Sequence, residues 1–529
     1  HAMRSGKDTI LSAKLMLILL SLIGTVTLML VTKPYGIGLS PDSVAYISTA
    51  RHIAEGLGIV SYHGTPLVLQ PPLYPALLAF FDYFFEIDPL SSASVVQAVL
   101  FGLVVFFSGI LFLRLLKTFV GFALLGTASV LVSIPLVRVS LMAWSELLFI
   151  CILLLYLMFS EFYLEKGDIK SLVLLSLSAA LACLTRYIGI ILILMGTVSI
   201  IFFRGDRIRS KIEHVILFMA ISALPISMWV IRNVVLSGTL FGPRAPSIFT
   251  FSQNITYTLR TIVSWYLVPK DLSPNNPWLL GINLVLMGLT LLCVTVGVLV
   301  GRTSFGNWRK VRVFLSEIRL LFLFIVLYIG LLVVSSTTTA YDRIDDRLLS
   351  PVFVPMTLVL LFLASKIVAA SSQSWLCPKR VNILFAATIG MWLLYSNAIA
   401  GRAIVQTMRH GIKFSSQSWK SSQTLEYLRK NQARFSGCVI YSNEPNALYI
   451  LANLKSKKAP IRTEYNSPRI VNDLSHLRGG WPKEKNVYLV WFDRIHRKNM
   501  FSFDELQSVA NITPIVRFDD GAVYSVTRK

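Results

Sequence analysis

Seven charged residues in or beside the predicted outer loops of this chain are candidates for one reactive site. They are two acids and five arginines: Asp42, Glu146, Arg186, Arg232, Arg244, Arg343 and Arg347. A carboxylate beside a membrane cavity can accept the proton of a hydroxyl group. A guanidinium group can bind two phosphate oxygens at once and keeps its charge near a low dielectric. These residue types therefore indicate proton transfer beside a phosphate-binding surface.

Each acid also has a purely structural interpretation. Asp42 lies in a Ser-Pro-Asp sequence and could be only the cap of a helix that is predicted to continue to about Gly56. Glu146 lies close to a predicted membrane boundary, where an ionisable group is costly unless it is paired or functional. It could form an ion pair with Arg138 or Arg186 instead of contacting a substrate.

The arginines have simpler interpretations too. Arg343 and Arg347 are four residues apart and could form a salt-bridge cluster at a helix end with Asp342, Asp345 and Asp346. Any single arginine could also lie along the membrane interface with its charged end in water. Arg347 is our first candidate for a phosphate ligand.

The composition indicates that a membrane must position these residues. The chain has 529 residues, of which 54% are hydrophobic and 15% charged, and its mean hydropathy is +0.65. These values exclude an ordinary soluble protein. The net charge of +23 is better explained by membrane orientation and anionic lipid than by nucleic acid. We therefore expect membrane lipids, and no nucleic acid, as partners.

Apolar runs predict about eleven transmembrane helices. They lie near residues 10–31, 93–113, 119–137, 144–163, 171–185, 187–203, 215–236, 278–300, 320–336, 348–366 and 382–400. The first run is long enough to span a bilayer and has no small-residue cleavage site after it, so we expect an uncleaved helix. Basic residues fill every second linker, which places those linkers and the N-terminus in the cytoplasm. The loops 32–92 and 232–277 then lie on the outer side.

The chain is predicted to divide into two parts. Residues 1–400 form the transmembrane module, and residues 401–529 contain no membrane-length apolar run. In the second part, β-type runs at 438–441 and 487–492 alternate with helical stretches, and a hairpin is predicted around Asp520-Gly521. We therefore expect a small α/β domain outside the membrane.

Several motifs occur in a fixed order on the predicted outer side. They are Ser40-Pro41-Asp42, Leu69-Gln70-Pro71-Pro72-Leu73, Ala143-Trp144-Ser145-Glu146, Leu184-Thr185-Arg186, Arg232-Asn233, Gly242-Pro243-Arg244 and Arg347-Leu348-Leu349-Ser350-Pro351. Together they cover about the first 400 residues. The pattern resembles membrane-embedded glycosyltransferases of the GT-C fold, especially the group of protein O-mannosyltransferases and lipid A aminoarabinose transferases (families 39 and 83).

The resemblance implies a polytopic GT-C protein in the bacterial inner membrane, with its C-terminal domain in the periplasm. It also implies inverting transfer of a sugar from a polyprenyl-phosphate donor to a lipid, glycan or protein acceptor. Asp42 would be the general base, Glu146 would orient the acceptor or neutralise an arginine, and the outer arginines would bind the donor phosphate. The sequence shows no metal-ligand spacing, but a divalent cation stays open as a cofactor because the superfamily includes metal-dependent members.

The first outer loop departs from the aminoarabinose transferases at two positions. Ala45 stands where they carry an arginine, and Gln70 stands where they carry a lysine. Donor contacts could therefore be made by other residues of the outer side. The candidate substrate-binding residues are Tyr46, Arg51, His52, His63, Gln70 and Tyr341.

Three alternatives remain at this point. A ligase or polymerase could use an oligosaccharide on a polyprenyl diphosphate, because a phosphate-binding surface does not specify the size of the donor. A transporter would also have many spans, but internal repeats and broken helices near the bilayer centre are expected there and the sequence lacks them. An inactive scaffold could carry the same fold.

Overall fold

The computed structural model describes residues 2–266, 281, 285–293, 295–297, 308–371 and 377–529, without the side chains of 2–10 and 308–315. A helical membrane part precedes a small sheet domain. The helices of the membrane part are α1 (Ala2–Thr32), α2 (Pro41–Ala54), α3 (Leu73–Phe85), α4 (Pro89–Leu115), α5 (Val120–Leu131), α6 (Ile134–Ser140), α7 (Glu146–Lys166), α8 (Ile169–Thr185), α9 (Ile190–Phe202), α10 (Ile208–Ser237), α11 (Phe251–Tyr266), α12 (the described residues of Val285–Gly297), α13 (Trp308–Thr338), α14 (Asp346–Ser371) and α15 (Pro378–His410).

Seven helices among the described residues are long and apolar enough to cross a membrane: α1, α4, α7, α10, α13, α14 and α15. Helices α5 and α6 meet at a 44° bend and together meet the same criterion, while α8, the segment Tyr187–Phe202 and α12 are shorter apolar helices. Each predicted span overlaps one of these elements. The span predicted at 278–300 lies partly outside the described residues, and the number of crossings stays a prediction.

Helix α2 confirms the predicted helix after the first span. Ser40 is its N-cap, with its side chain accepting a hydrogen bond from the backbone N–H of Ser43 at 3.4 Å. The proline at the first helical position needs no hydrogen-bond partner for its nitrogen, and the helix ends after Ala54. Tyr46 and Ile47 are buried in the core. Asp42 therefore lies in the first turn of a helix that is fixed by packing along its length.

Backbone hydrogen bonds join three segments that are far apart in the sequence. The N–H of Gly38 donates to the carbonyl of Leu141 at 2.9 Å, and the N–H of Ala143 donates back to Gly38 at 3.0 Å. The N–H of Phe414 donates to the carbonyl of Leu39 at 3.1 Å. A Cβ atom on Gly38 would lie only 2.8 Å from the Leu141 oxygen, so this close approach requires glycine. The bridge brings the start of α2 beside the start of α7.

The predicted outer loop 232–277 contains a helix, α11, that we did not predict. Its buried residues are mostly polar: Asn254, Thr258, Thr261, Ser264 and Trp265. Apolar periodicity is the main sequence signal for a helix, and here the polar side chains face inward.

The C-terminal part is the predicted α/β domain. Its sheet contains β1 (Val439–Ser442), β2 (Lys457–Lys458), β3 (Val487–Phe492), β4 (Ala510–Phe518) and β5 (Gly521–Arg528) in the order β2-β1-β3-β5-β4. Strands β1, β2 and β3 are parallel, and β5 is antiparallel to β3 and β4. Its helices are α16 (Gln417–Lys420), α17 (Gln423–Lys430), α18 (Gln432–Phe435), α19 (Pro445–Ala452), α20 (Leu474–Leu477) and α21 (Phe503–Val509). Helix α15 continues to His410, past the predicted domain boundary at residue 400.

Candidate active site

Two acids and two arginines form a connected cluster where α2, α7, α8 and α14 meet. The Arg347 Nη2 atom lies 2.6 Å from Asp42 Oδ2, and the Arg347 Nε atom lies 2.7 Å from Glu146 Oε1. Arg186 Nη1 reaches the same Glu146 oxygen at 2.5 Å. Arg347 therefore bridges the two carboxylates, and the cluster is electrically balanced.

The two acids differ in exposure. The side chain of Glu146 is 1% exposed, whereas that of Asp42 is 36% exposed. A buried carboxylate is tolerated only when it is paired and hydrogen-bonded, which the two arginines achieve. Among the described residues no donor reaches the second oxygen of Glu146, Oε2. Asp42 is thus the acid that a substrate can contact, and Glu146 is the acid that holds the arginines.

Aromatic and hydroxyl side chains fix this cluster. The Arg347 guanidinium carbon lies 3.9 Å from the centre of the Trp144 ring, a close cation–π contact. The indole N–H of Trp144 donates to the Ser40 hydroxyl at 2.7 Å, which links the ring to the cap of α2. The hydroxyl of Ser145 lies 3.2 Å from that of Tyr46 and accepts from Arg186 at 3.4 Å. Tyr46 thus contacts the cluster through the hydroxyl of Ser145.

Gln70 is the residue of the first outer loop that reaches Asp42. Its side-chain N–H donates to Asp42 Oδ1 at 3.3 Å. Asp42 therefore accepts a neutral hydrogen bond on one oxygen and a charged one on the other.

Arg232 and Arg244 hold the loop that carries Gln70. Arg232 donates to the carbonyls of Leu67 and Ile59, both at 3.0 Å, and Arg244 donates to the carbonyl of Leu69 at 3.2 Å. Gly242 packs against this loop with a φ of +81°, and a Cβ there would lie 2.7 Å from a Leu69 methyl carbon. These arginines act on backbone carbonyls, so their contacts position the loop.

The remaining candidate residues contact other partners. Arg51 pairs with Asp88 at 2.8 Å, and the Nδ1 atom of His52 lies 3.0 Å from the carbonyl of Val60. His63 packs against the ring of Tyr62, with the ring centres 4.0 Å apart. Arg51 and His52 line a polar cavity of about 740 Å³ beside the C-terminal domain.

The two candidates before α14 make cation–π contacts. Arg343 lies over the ring of Tyr257, and Tyr341 lies under the guanidinium of Arg244.

Asp346 and Asp342 make three further contacts beside the cluster. Arg138, which we considered for Glu146, pairs with Asp346 at 2.5 Å, and the indole N–H of Trp265 donates to the same acid at 2.9 Å. The Oδ2 atom of Asp342 lies 3.8 Å from Arg347 Nη1. The Asp342 contact belongs to the salt-bridge cluster considered from sequence, whereas the contacts of Asp346 with Arg138 and Trp265 had no sequence signal.

No group of three or more His, Cys, Asp or Glu side chains with a metal-binding arrangement occurs among the described residues. The two acids of the cluster are bridged by Arg347, so a guanidinium occupies the position between carboxylates where a cation would otherwise be needed. The donor set around Asp42 therefore does not fit a divalent metal ion.

Solved structures of known proteins share this architecture. The lipid A aminoarabinose transferase ArnT from Cupriavidus metallidurans, in the apo state, aligns with a TM-score of 0.58 at 11% identity, covering 96% of this chain and 97% of that chain. ArnT bound to undecaprenyl phosphate aligns with a TM-score of 0.57 and the same coverage. The archaeal oligosaccharyltransferase AglB from Archaeoglobus fulgidus, in complex with an inhibitory peptide and a dolichol-phosphate, aligns with a TM-score of 0.55 at 12% identity, covering 92% of this chain and 69% of that chain.

The chain has the GT-C fold. The fold prediction from the ordered motifs is therefore confirmed, and the chain is a multi-pass membrane protein. No protein-family model and no curated protein matches the sequence. At 11–12% identity the likeness to solved structures establishes the GT-C fold alone, and the chemistry must be argued from the cluster.

Proposed function

We propose that this protein is an inverting glycosyltransferase that moves a sugar from a polyprenyl-phosphate donor to an acceptor hydroxyl at the outer membrane surface. The observation that carries the proposal is the contact between Asp42 and Arg347, at 2.6 Å, inside a GT-C fold. A base and a phosphate ligand side by side are what this reaction needs.

The reaction is a single displacement. The acceptor oxygen forms a bond to the anomeric carbon while the bond from that carbon to the donor phosphate oxygen breaks. Asp42 takes the hydroxyl proton, and the lipid phosphate leaves with the electron pair. Arg347 stabilises the negative charge that develops on the phosphate, and displacement from the opposite face inverts the anomeric configuration.

Glu146 and Arg186 act through their neighbours in this scheme. Glu146 is enclosed and cannot contact an acceptor without a rearrangement, because its side chain is 1% exposed. Its charge fixes Arg347 against Asp42, and Arg186 stabilises that charge at 2.5 Å. Both are positioning residues.

The proposed location follows from charge. The cluster lies at the end of the bundle that carries the first outer loop, and the opposite end carries basic linkers such as the one with Arg204, Arg207 and Arg209. Positive linkers favour the cytoplasmic side. We therefore propose a bacterial inner-membrane protein with a cytoplasmic N-terminus and a periplasmic C-terminal domain.

The second candidate is transfer of an oligosaccharide from a polyprenyl diphosphate. Two observations favour it: an oligosaccharyltransferase has the same fold, and arginine binds a diphosphate as well as a phosphate. Donor identity therefore separates the two candidates.

Mass spectrometry of lipids bound to the purified protein tests both. We expect a polyprenyl phosphate that carries one sugar, and transfer of that sugar when the isolated lipid is returned to the protein in vesicles. A bound diphosphate oligosaccharide would favour the second candidate. Absence of a sugar-lipid, together with no saturable binding of undecaprenyl phosphate, would overturn the proposal.

A further inference from the structure

A short loop of the C-terminal domain reaches the active-site end of the membrane part. Residues 463–470 form a closed loop, because Thr463 and Ile470 form an antiparallel bridge at its base. Inside it, the N–H of Glu464 donates to the carbonyl of Arg469 at 3.0 Å. Asn466 has a φ of +50°, a left-handed conformation that asparagine tolerates. The loop is therefore held in shape by its own hydrogen bonds.

The tip of this loop contacts two outer segments. The side-chain N–H of Asn466 donates to the backbone carbonyl of Tyr341 at 3.0 Å. The backbone carbonyl of Asn466 accepts a hydrogen bond from the N–H of Ile248 at 3.1 Å. The hydroxyl of Tyr465 donates to Asp342 Oδ1 at 3.0 Å. These contacts fix the segment between α13 and α14.

Asp342 connects the loop to the catalytic arginine. Its Oδ2 atom faces Arg347 Nη1 at 3.8 Å, while the other two guanidinium nitrogens contact Asp42 and Glu146. A charge-assisted hydrogen bond is normally about 2.7–2.9 Å long. Asp342 is therefore near enough to attract Arg347 but does not close on it.

We infer that Tyr465 is a positioning residue for the donor phosphate: it holds Asp342 away from Arg347 Nη1 and so leaves that nitrogen for a phosphate oxygen. The inference rests on the proposed function. Without the phenol, Asp342 would be free to close on Nη1 and compete with the phosphate. The C-terminal domain would thereby control donor affinity from outside the membrane.

The chemistry of the phenol suits this role. Burial and the nearby Asp342 carboxylate raise the pKa of Tyr465, so the hydroxyl keeps its proton and donates it in the hydrogen bond. Asp342 is 52% exposed, so it could otherwise turn toward the strongest nearby cation. The loop supplies the restraint that the exposed carboxylate lacks.

The test measures binding of undecaprenyl phosphate to the full-length protein in detergent. We expect Tyr465→Phe to raise the Kd about fivefold. In this variant Asp342 can pair with Arg347 Nη1 in competition with the phosphate, and an exposed ion pair has about this strength. The double variant Tyr465→Phe/Asp342→Asn should return the Kd to near the wild-type value, because the competing charge is gone.

Tyr441→Phe is the matched control. Its phenol donates to Glu484 at 3.0 Å in the same domain, and its loss should leave the Kd unchanged. An unchanged Kd in Tyr465→Phe, or failure of Asp342→Asn to rescue it, would overturn the inference alone. Absence of binding by the wild-type protein would overturn the proposed function and this inference together.

Discussion

Arginines of the predicted outer side divide into two groups with different partners. Arg186 and Arg347 contact carboxylates at 2.5–2.7 Å, whereas Arg232 and Arg244 donate to backbone carbonyls of the first outer loop. The residue type is the same in both groups, and sequence motifs mark both. The difference lies in the charge of the partner.

The same chemical group therefore serves two purposes in this protein. A carbonyl is neutral, so an arginine bound to it fixes the shape of the chain and keeps its charge uncompensated. An arginine between carboxylates is compensated in the resting site and can exchange a partner when an anion arrives. Under the proposed function, Arg347 binds the donor because it contacts Asp42, and Arg232 and Arg244 position the loop.

The largest expected effect is from Arg347. We expect Arg347→Met to reduce kcat/KM for transfer by at least about a hundredfold, because it removes charge stabilisation in the transition state. Arg347→Lys keeps the charge but loses the fork that spans two acids, so it should recover only part of the activity. Transfer rates in vesicles, together with the thermal midpoint of each variant, provide the measurement.

Wild-type activity in Arg347→Lys would show that the bridge between Asp42 and Glu146 is dispensable. If Arg347→Met does not fold, the transfer rate of Arg347→Lys is compared with wild type instead, because the lysine leaves Glu146 paired with a positive charge.

A smaller effect is expected from Arg232. Arg232→Met removes two hydrogen bonds to the loop that carries Gln70, so we expect KM for the donor to rise about tenfold while kcat changes little. Arg528→Met is the matched control and should leave KM unchanged, because Arg528 likewise donates to two backbone carbonyls, those of Pro482 and Lys483, in the C-terminal domain. If Arg232→Met lowered kcat as strongly as Arg347→Met, the two groups of arginines would not be distinct.

The smallest effect is expected from metal removal. Arg347 lies between Asp42 and Glu146 and compensates the charge of both acids. EDTA should therefore change the transfer rate of the purified protein by no more than about a factor of two, which is the size of effect expected from a surface substitution far from an active site. The rate before and after chelation, with magnesium added back, checks this. A large loss that magnesium restores would assign a cation role that the arginine bridge does not fill.

Much of the fold could be predicted because its signals are local. Apolar runs predicted the positions of the spanning helices, and the short β-type runs predicted β1 and β3 of the C-terminal sheet. Helix α11 was missed although Phe251, Ile255, Leu259 and Val263 recur at helical spacing on its exposed side, because it contains no membrane-length apolar run and its buried side is polar. The site depends on long-range contacts: Asp42 and Arg347 are 305 residues apart in the chain.

Residue types indicated a base and phosphate ligands, and they named Arg186 as one of two possible partners of Glu146, which the structure confirms; they could not choose between the two or assign partners to the other arginines. Arg186, Arg232 and Arg244 all lie in motifs, and only the structure separates those facing carboxylates from those facing carbonyls. The contact of Tyr465 with Asp342 has no motif, since it depends on how the C-terminal domain lies against the membrane part.

The transfer rate of Asp42→Asn tests whether Asp42 is the general base. The variant should keep the thermal midpoint and bind undecaprenyl phosphate within a few-fold of wild type, while the transfer rate falls by at least about a hundredfold because the base is lost. Glu55→Gln, at the other end of α2, is the matched control and should retain activity. Wild-type transfer by Asp42→Asn would exclude Asp42 as the base.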